Sequence, residues 1–273
     1  MAAIADAPAP LRTQRLRDLA RIPRHPAFAG LASLFARLDE HGFPDLAALN
    51  RLAATLAPRP ISAGGAPIRF VAASGRQRAL DYERRVFERG EVATRSHDWH
   101  DVFNALSWLV FPRTKAALNA GHCAAADGHG RRGPQRDALT LLDESGILIA
   151  CADTELLALW RAHEWRSAFW NRRAILHQTL HASVIGHGLL VKLLAPFRAI
   201  TAKALVIGTM TTATEISTAR VDAAAAALIT AGEASAPSAL LPLPVAALPG
   251  WDCEGMGARL FDDTSVFRAG VLR

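Results

Sequence analysis

From Ser96 to Pro112 the chain runs without a single Glu, Lys, Arg or Gln. Those four residues normally fill the watered face of a helix, because they form helices well and tolerate solvent. Here the polar positions belong to His97, His100, Asp101 and Asn104. At helical pitch all four fall on one arc of about 100°, opposite Trp99, Val102, Phe103, Leu106, Leu109 and Val110. Asp98 is placed to cap this helix, which the pattern predicts through about Val110. A chain carrying such a segment must bury one side of it in an apolar core. The other side must face either a pocket or an interior polar network, since it is poorly composed for bulk water.

Histidine, aspartate and asparagine are costly in a helix but are ligands and proton carriers, and His97/Asp101 and His100/Asn104 are i,i+4 pairs able to converge on one ion or substrate. A carboxylate beside His100 would fix its tautomer or complete a metal site. Asp137 and Asp143 are the candidates, because Ala138–Leu142, Asp143-Glu-Ser-Gly146 and Ile147–Cys151 read as strand, turn and strand, a β-hairpin. In that reading Asp137 and Asp143 share one strand face, while Glu144 and Ser145 belong to the turn. The expected catalytic set is His100, Asp101, Asn104 and Asp137. The expected divalent-cation ligands are drawn from His97, His100, Asp101 and Asp143.

The remaining segments predict an α+β fold, mostly helical with a small sheet. Pro44-Asp45 starts an amphipathic segment through Leu56, Ile68–Val71 is a strand candidate, and Ala79–Arg89 is a charged helix stopped by Gly90. Pro112 opens a helix through Ala120, His122–Pro134 is a glycine-rich loop, and Asp153 caps a helix to His163. A helix begins at Gly186 or His187, Ala202–Ile207 is a strand, Val221–Ala231 a helix, and Ser235–Pro249, with four prolines, a wrapping loop. No repeat or interdomain linker interrupts this order, so residues 27–273 are expected to form one domain behind a flexible Arg/Pro-rich arm, residues 1–26.

Charge and cysteine usage bound the function. The net charge is +6, and half of it lies in the first 27 residues, where five arginines face Asp6 and Asp18. The rest is only mildly basic, which disfavours nucleic acid as a partner. Cys123, Cys151 and Cys253 suggest neither a disulfide framework nor a zinc ribbon. The first residues lack the apolar run of a secretory signal and, though Ala/Arg-rich like a transit peptide, contain Asp6 and Asp18. No membrane-spanning run is expected, and the expectation is a cytoplasmic protein.

Four residues outside the polar helix face are candidate substrate contacts: Arg113 and Lys115, which follow Pro112 and can hold a phosphate or carboxylate, His187 at a helix start, and Trp108. His177 and His181 have the spacing of helix-borne zinc ligands, but Gln178 stands where a zinc protease needs glutamate, so that pair is read as incidental. The chain lacks G-x-G-x-x-G, a Walker loop and G-x-S-x-G, which argues against nucleotide-cofactor enzymes, kinases and α/β-hydrolases.

The run Trp99-His-Asp-Val-Phe-Asn-Ala-Leu106, continuing through Phe111-Pro-Arg-Thr-Lys-Ala-Ala-Leu-Asn119, resembles an uncharacterised bacterial family known only as a domain of unknown function. Further matching pieces are Tyr82–Phe87, Arg136–Gly146, Gly186-His187, Leu193–Phe197, Thr201–Leu205 and Phe261–Phe267. The chain departs from that pattern after Trp251, where Asp252-Cys253-Glu254 replace an expected second tryptophan and asparagine. The resemblance implies no activity. From the residues, the expectation is a hydrolase or lyase of a small molecule or phosphoester, with His100 as general base and a divalent metal ion as the cofactor to look for. The alternatives are a non-catalytic binding protein whose polar helix is a structural network, and a nucleic-acid-associated protein tethered by its arginine arm.

Overall fold

The computed structural model describes residues 25–38, 43–75, 77–125, 133–208, 216–252, 255 and 257–270. Residues 1–24 of the expected arm, as well as Cys253 and Glu254, lie outside the described residues. The described residues begin at His25, whose Nδ1 accepts from the Ala27 amide at 3.2 Å and whose ring meets Trp251 edge-on at 5.5 Å. A 3-10 turn, Pro26–Leu31, then runs into α1 (Ala32–Phe35), burying Phe28, Leu31, Leu34 and Phe35.

After α2 (Leu46–Ala54) comes a small β-α-β unit: β1 (Arg69–Ala72), α3 (Ala79–Arg89) and β2 (Glu91–Thr94), with Phe70 opposite Val92 in a parallel pair. Gly90 ends α3 in the left-handed conformation at φ 66°. The polar helix follows as α4 (Trp99–Val110), and Phe111 breaks it from α5 (Pro112–Ala124). The first amides of α5 are capped from a distance: Asp222 accepts from the Arg113 and Thr114 amides at 3.1 and 2.8 Å and from Thr114 Oγ1 at 2.7 Å.

The main sheet has strand order β4-β3-β5-β6 and is built from β3 (Gly146–Cys151), β4 (Leu180–Val184), β5 (Thr201–Ile207) and β6 (Leu241–Pro244). The central pair, β3 and β5, is parallel; both flanking pairs are antiparallel. Every residue of β3 is buried, and its side chains alternate between two cores. Ile147, Ile149 and Cys151 join the core of α4, of α7 (Thr154–Arg161) and of α9 (His187–Leu193). Leu148 and Ala150 join that of α5, α6 (Pro134–Ser145) and α10 (Thr218–Thr230). This is the α+β class the sequence predicts.

The expected hairpin is not there. Residues 134–145 form α6, with Pro134 in its first turn and Ala138, Leu139, Leu142 and Ser145 buried at helical spacing, and the antiparallel partner of β3 is the distant β4. Asp137, Asp143 and Glu144 are therefore helix residues. The expected loop at His122 is also shorter, because α5 carries on through Ala124. Leu241–Pro244, inside the expected wrapping loop, is an edge strand. His177 and His181 belong to α8 (Arg173–Thr179) and β4 respectively, so they share no helix face.

Candidate functional site

Three chain segments meet where β3 begins and β4 ends: the first turns of α4, the last turn of α6, and the first turn of α9. The α6–β3 junction is tied directly to the β4–α9 junction by hydrogen bonds from the Ile185 and Gly186 amides to the Gly146 carbonyl, at 3.2 and 2.9 Å. Ser107 of α4 holds the same turn through the Ile185 carbonyl, at 3.0 Å. Gly188 completes the approach. A Cβ there would stand 2.6 Å from Glu144 Oε2 and 2.9 Å from the Glu144 carbonyl oxygen, so only glycine leaves room for that carboxylate.

The result is a cavity of about 490 Å³, open to solvent. At one end, Glu144 lies between two imidazoles: its Oε2 is 3.3 Å from His100 Nε2, and its Oε1 is 3.3 Å from His187 Nε2. The two rings stand edge to face, 4.4 Å between centroids. The other nitrogen of each histidine faces an aspartate, within hydrogen-bond distance for His100 but not for His187, whose Nδ1 is buried without a partner among the described residues. Asp101 Oδ1 is 3.2 Å from His100 Nδ1, and Asp143 Oδ1 is 3.9 Å from His187 Nδ1. Those aspartates are fixed in turn. Asp101 accepts from the Arg95 amide, Nε and Nη2 at 2.7, 2.8 and 2.7 Å, and Asp143 pairs with the buried Lys115 ammonium. Lys115 also donates to Asn104 Oδ1 at 2.8 Å and lies over the Trp108 ring at 5.7 Å, and Asn104 Nδ2 donates to the Tyr82 hydroxyl at 3.3 Å.

The spacing of His100, Glu144 and His187 is informative. His100 is hydrogen-bonded to Glu144 at 3.3 Å, longer than the ~2.7–2.9 Å of a contracted charge-assisted bond. Ligand atoms held about 2.0–2.1 Å from a tetrahedral cation stand about 3.3 Å from one another. The three side chains each offer one ligand atom within 4.8 Å of the others. Behind His100 the Asp101 carboxylate gives the arrangement that orients metal-binding histidines, whereas the distal nitrogen of His187 is buried without a hydrogen bond among the described residues. Electrostatics agree, since Asp101, Asp143 and Glu144 outnumber Arg95 and Lys115 and leave a net negative charge for a proton or a cation. Burial pulls the His100 pKa down, but its hydrogen bonds to Asp101 and Glu144 outweigh this and push it up to about 9. Burial raises Glu144 and Asp101, yet the paired histidines and Arg95, respectively, hold both well below the usual carboxylate range.

The opposite wall comes from α3, α5 and α6 and includes Tyr82, Glu83, His122, Arg136 and Thr140. Glu83 Oε2 accepts from Asn119 Nδ2 at 2.7 Å. Burial lifts the Glu83 carboxyl to about 7, with that bond pulling the other way. Burial also pushes the Tyr82 hydroxyl far up, so it stays protonated. Among the described residues the Arg136 guanidinium has no hydrogen bond and no close ion pair, and its Nε is buried without a partner.

Of the residues expected from sequence, the cavity unites His100, Asp101, Asn104, Asp143 and His187. His97 falls outside. It precedes α4, adopts φ 57°, is exposed, and packs on Phe43 at 5.3 Å, so the i,i+4 pair with Asp101 does not form. Asp137 sits in the first turn of α6 and is not among the lining residues. Arg113 is exposed beside Asp222, whereas Lys115 is buried under Trp108 and Asn104; the two do not make a common anion site. Trp108 is buried and does not reach the cavity. His187 does open α9, but its place in the site comes from facing Glu144. Asp252 of the divergent tail is buried 3.9 Å from Arg198, away from the cavity. Glu144, Tyr82, Glu83, His122 and Arg136 were not expected; the helix-start signal at Pro134 would have placed two of them.

No curated protein and no solved structure shows a significant match to the chain. The chain belongs to the family described as protein of unknown function (DUF3025), whose sequence model matches residues 68–271 and so spans every residue named as lining the cavity.

Proposed function

We propose that the cavity is the active site of a metal-dependent hydrolase acting on a small molecule, with His100, His187 and Glu144 as the ligands of one divalent cation. The observation that carries this reading is the pair of Nε2 atoms, each 3.3 Å from a different oxygen of one carboxylate, with His100 held from behind by a hydrogen bond to Asp101. Three protein ligands leave a coordination position open, which distinguishes catalytic from structural sites. Bound there, a divalent cation would supply a water acidic enough to ionise near neutral pH.

The chain's own groups have separable tasks. Asp101 orients the His100 imidazole through a hydrogen bond, Asp143 adds negative charge beside His187, and Arg95 and Lys115 keep those aspartates ionised and in place. The Tyr82 hydroxyl, protonated throughout the working range, is a donor for a substrate oxygen. Glu83, with its carboxyl at about 7, is the group able to take up or release a proton near neutrality. The cavity's size suits a metabolite-sized substrate rather than a polymer. Its openness favours this reading over a sealed structural network, because a network that only orients helices has no need of a solvent-filled space beside it.

The test is a screen of chelator-treated protein against phosphoester, ester and amide substrates, with and without zinc or manganese. The expected result is turnover that chelation abolishes, metal restores, and Glu144→Ala removes. Turnover indifferent to both chelation and Glu144→Ala would overturn the proposal.

A further inference from the structure

The cavity-facing residues of α6 form a graded strip. Arg136, Thr140, Asp143 and Glu144 recur at i, i+4, i+7 and i+8, which puts them on one helix face, and all four line the cavity. At about 1.5 Å of rise per residue, the guanidinium-bearing position lies about 12 Å along the axis from Glu144. One end of the strip is carboxylate-rich and faces the histidines. The other end carries Arg136, a cation without a hydrogen bond or close ion pair among the described residues.

That unpaired cation demands an explanation. A buried guanidinium nitrogen without an acceptor loses its hydration and receives nothing in return. The other Arg, Asp and Glu side chains lining the cavity are engaged: Arg95 with Asp101, Asp143 with Lys115, Glu144 with the two histidines, and Glu83 with Asn119. Glu83 is the acidic neighbour whose charge Arg136 feels, but its carboxylate is hydrogen-bonded to Asn119 and not to Arg136, and burial raises it to about 7. The Arg136 charge therefore stays available inside the cavity, in a fork geometry that matches two oxygens of an oxyanion.

We infer that Arg136 is the anchor for an anionic group, phosphate or carboxylate, of the molecule that occupies the cavity, held at the end of α6 opposite His100, Glu144 and His187. The substrate class is thus a small anion whose charged group and reacting bond are separated by roughly the length of the strip, about 12 Å or somewhat less once the two side chains lean inward. This deepens the hydrolase reading and rests on it for the word substrate, but the anion subsite stands on Arg136 alone.

The experiment measures anion binding to chelator-treated protein, so that no cation can hold the anion. Inorganic phosphate and acetate are titrated in separate arms at constant ionic strength against a chloride control, with thermal unfolding as the readout. Wild type is expected to be stabilised by phosphate or acetate beyond chloride, with the stronger arm identifying the group. Arg136→Gln should weaken that response at least tenfold in concentration while zinc binding stays unchanged. Arg136→Lys, which keeps the charge but not the fork, should respond in between, and it serves as the comparison should Arg136→Gln fail to fold. Equal responses to all three anions in wild type, or equal responses in wild type and the Arg136 variants, would overturn the inference. A protein that binds phosphate through Arg136 but takes up no zinc would refute the metal centre and leave the anion subsite standing.

Discussion

Replacing Glu83 by glutamine tests whether the cavity wall holds an acid kept neutral by burial. In the folded protein its carboxyl sits at about 7, against an ordinary value of 4.5. Below the ordinary value both states are protonated, and the group contributes no pH dependence. Between the two values the unfolded chain releases the proton while the folded protein keeps it, so stability falls as pH rises, by about 1.4 kcal/mol per pH unit. Above about 7 the folded carboxyl is ionised too, and the accumulated cost is about 3 kcal/mol. Glutamine is isosteric, can still accept from Asn119, and never ionises. Glu83→Gln should therefore match wild type near pH 4.5 and exceed it at pH 8, by up to about 6 °C in melting temperature for a chain of this size. Differential scanning calorimetry of both proteins from pH 4.5 to 8.5 gives the comparison. A difference that does not change with pH would show that Glu83 titrates normally and is no proton carrier.

Lys115→Met should cost about 3 kcal/mol in urea unfolding, because it strands Asp143 and Asn104 without their buried partner; a loss under about 1 kcal/mol would show that water replaces the ammonium freely. Asp222→Ala should cost about 2 kcal/mol by removing the acceptor for two α5 amides and Thr114, with Asp222→Asn milder since it keeps one acceptor oxygen. Gly188→Ala should leave the protein folded but lower zinc affinity at least tenfold by displacing the Glu144 carboxylate, and unchanged affinity in a titration would mean that Glu144 is not a ligand.

The helix bearing His100 was legible because its composition is so unlike a solvated surface, and its cap at Asp98 and end at Val110 follow from ordinary signals. The second half of the site was not legible, and the reason lies in residues 134–145. Ala138-Leu-Thr-Leu-Leu142 fits both a two-residue and a 3.6-residue period, and the following Asp-Glu-Ser-Gly has turn chemistry, so local reading favours a hairpin. Tertiary packing decides otherwise: Leu139 and Leu142 are buried against α5 and β3 only as a helix face, and that choice turns Glu144 toward the histidines rather than into a solvent turn. His187 was singled out as a helix-start residue, but its partner could not be found until Glu144 was placed.

The missed strand β6 has a different cause. Pro242 and Pro244 argue against a strand from sequence, yet β6 is the sheet edge. Pro242 turns its carbonyl away from β5, accepting from Trp160 Nε1 at 2.8 Å, so the missing amides interrupt no ladder.

The central claim is that His100, His187 and Glu144 hold a cation, and stoichiometric titration of zinc into chelator-stripped protein tests it most directly. Wild type should bind one equivalent per chain, and Glu144→Ala and His187→Ala should each weaken binding by a hundredfold or more while retaining the wild-type circular dichroism spectrum. Binding of equal strength and stoichiometry in wild type and in both variants, or no saturable binding in wild type, would contradict it.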